Sequence, residues 1–447
     1  MTHSWAQRTA LLAMMLTTLP SADVSEPLDR TSGRSPSEVK AMLQLLAPSR
    51  GASAQDTYLA RVRQYRYLCG VPFETLAFNA RQGELATAAA GICARLGKLT
   101  HAPERPPGMS DADYQLGKDG AGQSNLFSGR TEPAGCVDGW MDDSDQNNID
   151  RVGHRRWILN PSMGTSAFGT EGNYAAMYAF DGSLKNISDW DCVTYPTRGA
   201  MPVQFFGARH AWSISPNLKK YVLPAQTDLT VTIQATNAKA MPQGEALKLD
   251  YFHLDTGGFG SGPAVIFRPA EFALGQAGTY VVTLTGLKDK SGAPVTLRYS
   301  VNFFNLPQIT EGAEGAAVYT RYFQARFDAI QAMPNQIDQV EAYADFVTQE
   351  YLQQADPKLR KAAVKSLSDI IKDPVLKREH DALQKYKTLL VFELQAGTAK
   401  DKLVAVATGY RDLAKAFKET RAGVRAADDF TRLKNQLEVP GAGGPRS

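Results

Sequence analysis

Tracts of like charge are missing from this chain. Its 447 residues carry 49 Lys and Arg against 46 Asp and Glu, for a formal net charge of +3. Nothing in that balance favours nucleic acid or an anionic membrane as a partner. No apolar run reaches the roughly 20 residues that a membrane-spanning helix needs, so no transmembrane segment is expected. Cysteine is scarce, with Cys69, Cys93, Cys136 and Cys192 the only four. None stands in a Cys-x-x-Cys pair, which excludes a zinc knuckle. No tandem repeat is visible, which sets aside stacked-repeat architectures.

What is there is the composition of an ordinary folded protein, 43% hydrophobic and 21% charged, long enough for about two to four domains. Residues 1–22 read as an export signal. Arg8 supplies a positive charge, Thr9 to Leu19 form a short apolar core, and Ser21 and Ala22 are small residues suited to cleavage. The expected destination is secreted, periplasmic or extracellular. No cysteine follows the cleavage point, so a lipid anchor is not expected. An even number of cysteines in an exported protein implies disulfides. Sequence order pairs Cys69 with Cys93 and Cys136 with Cys192, although four cysteines allow three pairings. Free buried thiols are the alternative, because cysteine is among the most buried residue types.

The periodicity divides the chain. Residues 23–54, rich in Ser, Pro, Asp and Arg, read as a disordered leader. From Asp56 to about Leu99 the pattern is helical, with Leu85, Ala89, Ile92 and Leu96 on one stripe. Pro103, Pro106 and Pro107 bar its continuation. Residues 108–170 are rich in Gly, Ser, Asp and Asn and read as loops, and Tyr174 to Phe180 reads as a buried strand. A first domain, 55–215, thus mixes helices with a few strands. Between 216 and 306 the period falls to two. Leu229, Val231 and Ile233 alternate with polar residues, as do Val282 and Leu284, and Leu297, Tyr299, Val301 and Phe303. This predicts an all-β, immunoglobulin-like sandwich. Residues 312–436 return to a helical period. Stripes run through Ile337, Val340, Ala344 and Val347, through Leu359, Ala363 and Leu367 after Asp356-Pro357, through Leu383, Tyr386 and Leu390, and through Leu403, Ala407, Tyr410 and Leu413. This predicts an α-helical bundle. Residues 437–447 read as a disordered tail.

Two histidines carry the best chemical clue. His101 follows a helical pattern, and His154 follows Gly153 in Asp150-Arg151-Val152-Gly153-His154-Arg155-Arg156-Trp157. Imidazoles at the edges of regular elements can converge on one cleft, to bind a divalent metal or to move protons near neutral pH. Ser124 and Asp143 lie between them. A His/His/Asp set suits a metal with an open position; the plainer reading is that each histidine makes a hydrogen bond in a folded loop. Ser124 with a histidine and Asp143 has the residue types of a hydrolase triad, but no Gly-x-Ser-x-Gly elbow surrounds Ser124. Asp143-x-Asp145-x-Asn147 opens like an EF-hand loop, yet Asn148 stands where glycine is required and His154 where the closing glutamate is required. It reads as a solvated acidic loop capping a helix. Arg155 and Arg156 read as surface or ion-pairing residues. Asn186-Ile187-Ser188 is a glycosylation sequon.

Four stretches occur together in a telling order: Gly97-Lys98-Leu99-Thr100-His101, Gln123-Ser124-Asn125-Leu126, Val137-Asp138-Gly139-Trp140-Met141-Asp142-Asp143 and Gly153-His154-Arg155-Arg156-Trp157. In this order the region from about 55 to 215 resembles the CAP superfamily (cysteine-rich secretory proteins, antigen 5 and pathogenesis-related proteins) in its bacterial SCP-like extracellular form. The resemblance implies an α-β-α sandwich, usually secreted, with a cleft lined by two histidines and two glutamates that binds a divalent metal in some members. Carried over by position, the histidines are His101 and His154. Ser124 stands in place of one glutamate and Asp143 in place of the other, a set less suited to zinc. The expected function is ligand binding in the cleft of His101, Ser124, Asp143 and His154. The ligand would be a lipid-like small molecule or a cell-envelope component, with a protein partner on the helical region. A hydrolase of peptidase type using the same cleft, with or without metal, is the alternative, and an inert structural cleft is the third reading.

Overall fold

The structure, a computed structural model, describes residues 33–438 except 50, 186, 188, 189, 238–240, 273, 275–277, 311 and 398. The expected export signal, Asn186 and Ser188 of the sequon, and residues 439–447 of the expected tail lie outside the described residues. Within them the chain is a mixed α/β protein with several antiparallel sheets and a helical C-terminal region. It divides into two compact units, residues 1–315 and 316–447.

The first unit begins with helix α1 (Pro36–Leu45), inside the stretch expected to be a disordered leader. The cause is local: Ser35 and Glu38 form a capping box and Pro36 fills the first turn. Val39 and Leu43 are then buried in the main core. Next come α2 (Ala54–Leu68), β1 (Ala77–Phe78), α3 (Ala80–Leu96), α4 (Asp111–Gly122), β2 (Ser124–Ser128), α5 (Pro133–Asp142), α6 (Gly153–Ile158), β3 (Thr165–Ser166), β4 (Phe168–Glu171) and β5 (Tyr174–Tyr178). The 108–170 stretch, expected to be loops, therefore holds three helices, strands β2 and β3 and most of β4. Its glycines serve close packing as well as turns. A Cβ on Gly120 of α4 would stand 2.1 Å from the carbonyl oxygen of Leu85, so only glycine lets α4 lie against α3.

Strands β2, β5 and β4 form an antiparallel sheet in that order. Its two faces alternate along the strands. Leu126 and Ala176 pack with Ala86, Ala89 and Ile92 of α3. On the opposite face, Ala175, Met177 and Phe168 join the core that holds Tyr58 of α2 and Trp140 of α5. The layers are thus helix, sheet, helix.

The chain continues through β6 (Cys192–Tyr195), β7 (Gly199–Pro202), β8 (Trp212–Pro216), β9 (Tyr221–Val222), β10 (Thr230–Ala235), β11 (Leu249–Asp255), β12 (Ala264–Pro269), β13 (Gly278–Asp289) and β14 (Pro294–Phe304). One sheet runs β10-β13-β14-β7, with β9 on β13, and the other runs β11-β12-β8-β6. All pairings in these sheets are antiparallel except β14 with β7, where Gly199 partners Val301. Trp212 of β8 joins the sheets, its ring 5.9 Å from that of Phe303 and 6.2 Å from that of Phe267. The boundary expected at 215 is therefore not a seam. Strands on both sides of it share both sheets, and one core runs from Val39 to Phe304.

The second unit is helical: α7 (Ala313–Gln331), α8 (Gln336–Phe346), α9 (Pro357–Ile370), α10 (Pro374–Ala396), α11 (Lys400–Ala416) and α12 (Arg421–Glu438). Asp356-Pro357 starts α9 as expected, with Asp356 accepting from the Lys358 N–H. Leu403, Val406, Ala407, Tyr410 and Leu413 of α11 pack against Ala426 and Leu433 of α12. Leu390, expected on a buried stripe of α10, is 37% exposed; with Val391 and Phe392 it leaves an apolar turn in solvent. No helix among the described residues is long and apolar enough to cross a membrane.

All four cysteines are buried and free. No two are within disulfide range, which corrects the expected bridges. Cys69 ends α2, Cys93 is on α3, Cys136 on α5 and Cys192 on β6, each packed as a small hydrophobe in a different element. Burial pushes the Cys69, Cys136 and Cys192 thiols up to about 12.

Candidate functional site

The site is built around the start of β2. His101 is exposed, and its Nδ1 lies 2.8 Å from the carbonyl oxygen of Ala121 at the end of α4. Ser124 opens the strand, 3% exposed, and its Oγ has no hydrogen-bond partner among the described residues. Asn125, the next residue, donates through Nδ2 to the His154 carbonyl at 3.0 Å. The segment 121–125 is thus tied to one histidine by its helix end and to the other by its strand.

The tightest geometry is at His154. Its Nδ1 lies 2.7 Å from Oδ1 of Asp143, and its backbone N–H donates to Oδ2 at 2.9 Å. A carboxylate only accepts, so Nδ1 carries the proton and Nε2 is the ring nitrogen left to act. Asp143 is 1% exposed and the imidazole 22%. Asp143 has φ 47° and Val152 φ 41°, and among the described residues they are the only non-glycine residues at positive φ. Left-handed backbone is costly for such residues, above all β-branched valine, and concentrates at functional sites. Both flank the same imidazole.

Arg155 and Arg156 hold this arrangement. Neither lies at the surface: they are 0% and 1% exposed. Arg155 donates to the carbonyls of Met141 (2.7 Å), Asp142 and Ala211 (2.8 Å), joining the end of α5 to β8. Arg156 pairs with Asp255 and reaches the carbonyls of Gly257 and Gly262. Burial pulls both guanidinium pKa values down, with nearby anions opposing it. Of the two sequence readings, ion pairing holds for Arg156.

Sequence reasoning missed His210. Its Nε2 lies 3.3 Å from Oδ1 of Asp142, and its Nδ1 lies 3.1 Å from the Tyr195 hydroxyl. Adjacent aspartates therefore each face a histidine, Asp142 facing His210 and Asp143 facing His154. No sequence spacing signals the first pair, because tertiary contacts bring it together: the Ala211 N–H donates to Ser144 Oγ, and Arg155 bridges the Ala211 carbonyl to the end of α5. Burial pushes the His210 imidazole down to about 4, against the pull of Asp142. An aromatic pair also lies near the site. Trp157, one turn after His154 on α6, stacks on Phe180 at 4.2 Å, and Phe180 is 49% exposed.

The donors present fall short of a zinc site. His101 and His154 each commit Nδ1 to an oxygen, Asp143 spends both oxygens on His154, and Ser124 offers no carboxylate. Two remaining imidazole nitrogens are fewer than the three protein ligands of a catalytic zinc. No group of three His, Cys, Asp or Glu able to hold a metal ion occurs among the described residues. The acidic loop after Asp143 closes on itself, Asp145 accepting from the Asn147 N–H and from Asn148 Nδ2. The triad geometry is also incomplete, since Ser124 Oγ bonds to neither histidine. Comparisons with protein-family models, with curated proteins and with solved structures find no match.

Proposed function

We propose that this chain is a secreted, CAP-like binding protein whose two-histidine cleft takes a small apolar or envelope-derived ligand. The observation that carries this reading is the half-exposed Phe180, stacked on Trp157 one helical turn from an imidazole locked by Asp143. A solvent-facing aromatic surface beside an oriented polar group suits a ligand with an apolar body and one hydrogen-bonding end. The helix-sheet-helix layering of the first unit is in keeping with the α-β-α sandwich that the resemblance implies, and the two joined sheets with an immunoglobulin-like sandwich. The exposed Val391 and Phe392 turn supports a protein partner on the helical region.

A second reading has one observation in its favour. The 2.7 Å contact of Asp143 with His154 is the orienting half of a general-base device, with Nε2 free to activate water in a hydrolase. Binding of the fluorescent fatty acid parinarate tests the first reading. Saturable binding weakened by Phe180→Ala supports it. No binding, or binding indifferent to Phe180→Ala and to His154→Ala, overturns it. Ester or peptide turnover abolished by His154→Ala would instead establish the hydrolase.

A further inference from the structure

An open groove of about 340 Å³ lies at the far end of α6, beyond Ile158. Its walls are apolar: Trp190, Leu218 and the prolines Pro161, Pro216 and Pro263. Three of its polar wall residues are occupied internally. Asn160 donates to the Asp181 carbonyl and accepts from the Ser162 N–H, Asn217 donates to the Trp190 carbonyl and accepts from the Lys219 N–H, and the Ser261 hydroxyl bonds to Ser215. Lys219 is the one charged residue of the lining, exposed, and its ammonium makes no hydrogen bond or ion pair with any described residue. Leu218 beside it is 45% exposed. The volume falls within the range of small-molecule sites.

We propose that this groove is a second binding site, separate from the two-histidine cleft, for a small amphipathic carboxylate. The apolar body lies on Trp190, Leu218 and the prolines, and the carboxylate pairs with Lys219. Among the described lining residues there is no side-chain carboxylate to attract a cation, the amides of Asn160 and Asn217 are engaged, and Ser162 offers only a hydroxyl. Charge complementarity therefore rests on one lysine.

Calorimetric titration of the full chain tests this with naphthalene-2-acetate and its neutral counterpart naphthalene-2-ethanol. The acetate is expected to bind about two- to fivefold more tightly, the contribution of one exposed ion pair. Lys219→Gln should erase that difference and leave the alcohol unaffected. Leu218→Asp should weaken both probes. Leu218 and Lys219 are surface positions, so both variants are expected to fold. Equal affinity for the two probes, a difference that survives Lys219→Gln, binding indifferent to Leu218→Asp, or no binding at all would each overturn the proposal.

Discussion

Replacing Asp143 tests whether a buried carboxylate holds His154 in place. Asp143→Ala removes the acceptor of three hydrogen bonds: from the His154 ring at 2.7 Å, the His154 N–H at 2.9 Å and the Arg155 N–H at 3.4 Å. The side chain is 1% exposed, so water cannot readily take its place. A hydrogen bond to a charged acceptor contributes about 1.5–3 kcal/mol, and capping the N–H groups that open α6 adds about 1 kcal/mol. These terms overlap, so the expected cost is about 2–4 kcal/mol. Asp143→Gly should cost roughly 1 kcal/mol less, because glycine adopts the φ 47° backbone without strain. Asp143→Asn separates position from charge. Asparagine tolerates left-handed backbone, and its oxygen can keep the His154 N–H. Its NH₂ then faces Nδ1 and drives the ring proton to Nε2. Urea unfolding of the three variants and the imidazole ¹⁵N shifts of His154 read both effects. A cost below about 0.5 kcal/mol for Asp143→Ala, or an unchanged tautomer in Asp143→Asn, would refute the reasoning.

Ser124→Ala deletes a buried hydroxyl that has no partner among the described residues, so unfolding should show unchanged stability or a gain of about 1 kcal/mol. A loss of that size would reveal a partner for the hydroxyl. A thiol reagent should find no reactive cysteine in the native protein and four after unfolding, with Tm indifferent to reductant. Fewer than four thiols in the unfolded chain would restore a disulfide. His210 is held at about 4 by burial, against roughly 6.5 in the unfolded chain. The unfolded state therefore takes up its proton first as pH falls, and stability should decline between about pH 6.5 and 4. An NMR titration placing the His210 midpoint at or above 6.5 would contradict this.

The sequence was legible where one periodic face meets one core. Leu85, Ala89 and Ile92 are buried on α3, Ile233, Val282 and Leu284 inside the sheets, and Tyr410 and Leu413 in the helical unit. Element boundaries failed where tertiary contact overrides composition. Gly120 and Gly169 read as loop residues, yet a Cβ on Gly169 would come within 2.3 Å of the Thr87 nitrogen on α3. The capping box at Ser35 was readable but lay in a stretch judged by its polar composition. His101, Ser124, Asp143 and His154 were all named from sequence; in the structure His154 is bonded to Asp143, and His101 to the Ala121 carbonyl. The Asp142–His210 pair and the burial of both arginines were not legible. Each depends on strands distant in sequence returning to α5 and α6.

The parallel pairing of Gly199 with Val301 also orders events during synthesis. When β7 and β8 leave the ribosome, the strands that will pair with them, β14 and β12, have not yet been made. These strands must wait with bare hydrogen-bonding edges, a state open to pairing with other chains. Arg156 likewise has no Asp255 to neutralise it until translation reaches β11. A recombination breakpoint or expression boundary at residue 215 would make that waiting state permanent. The smallest heritable piece of this protein that contains the two histidines is therefore the whole first unit.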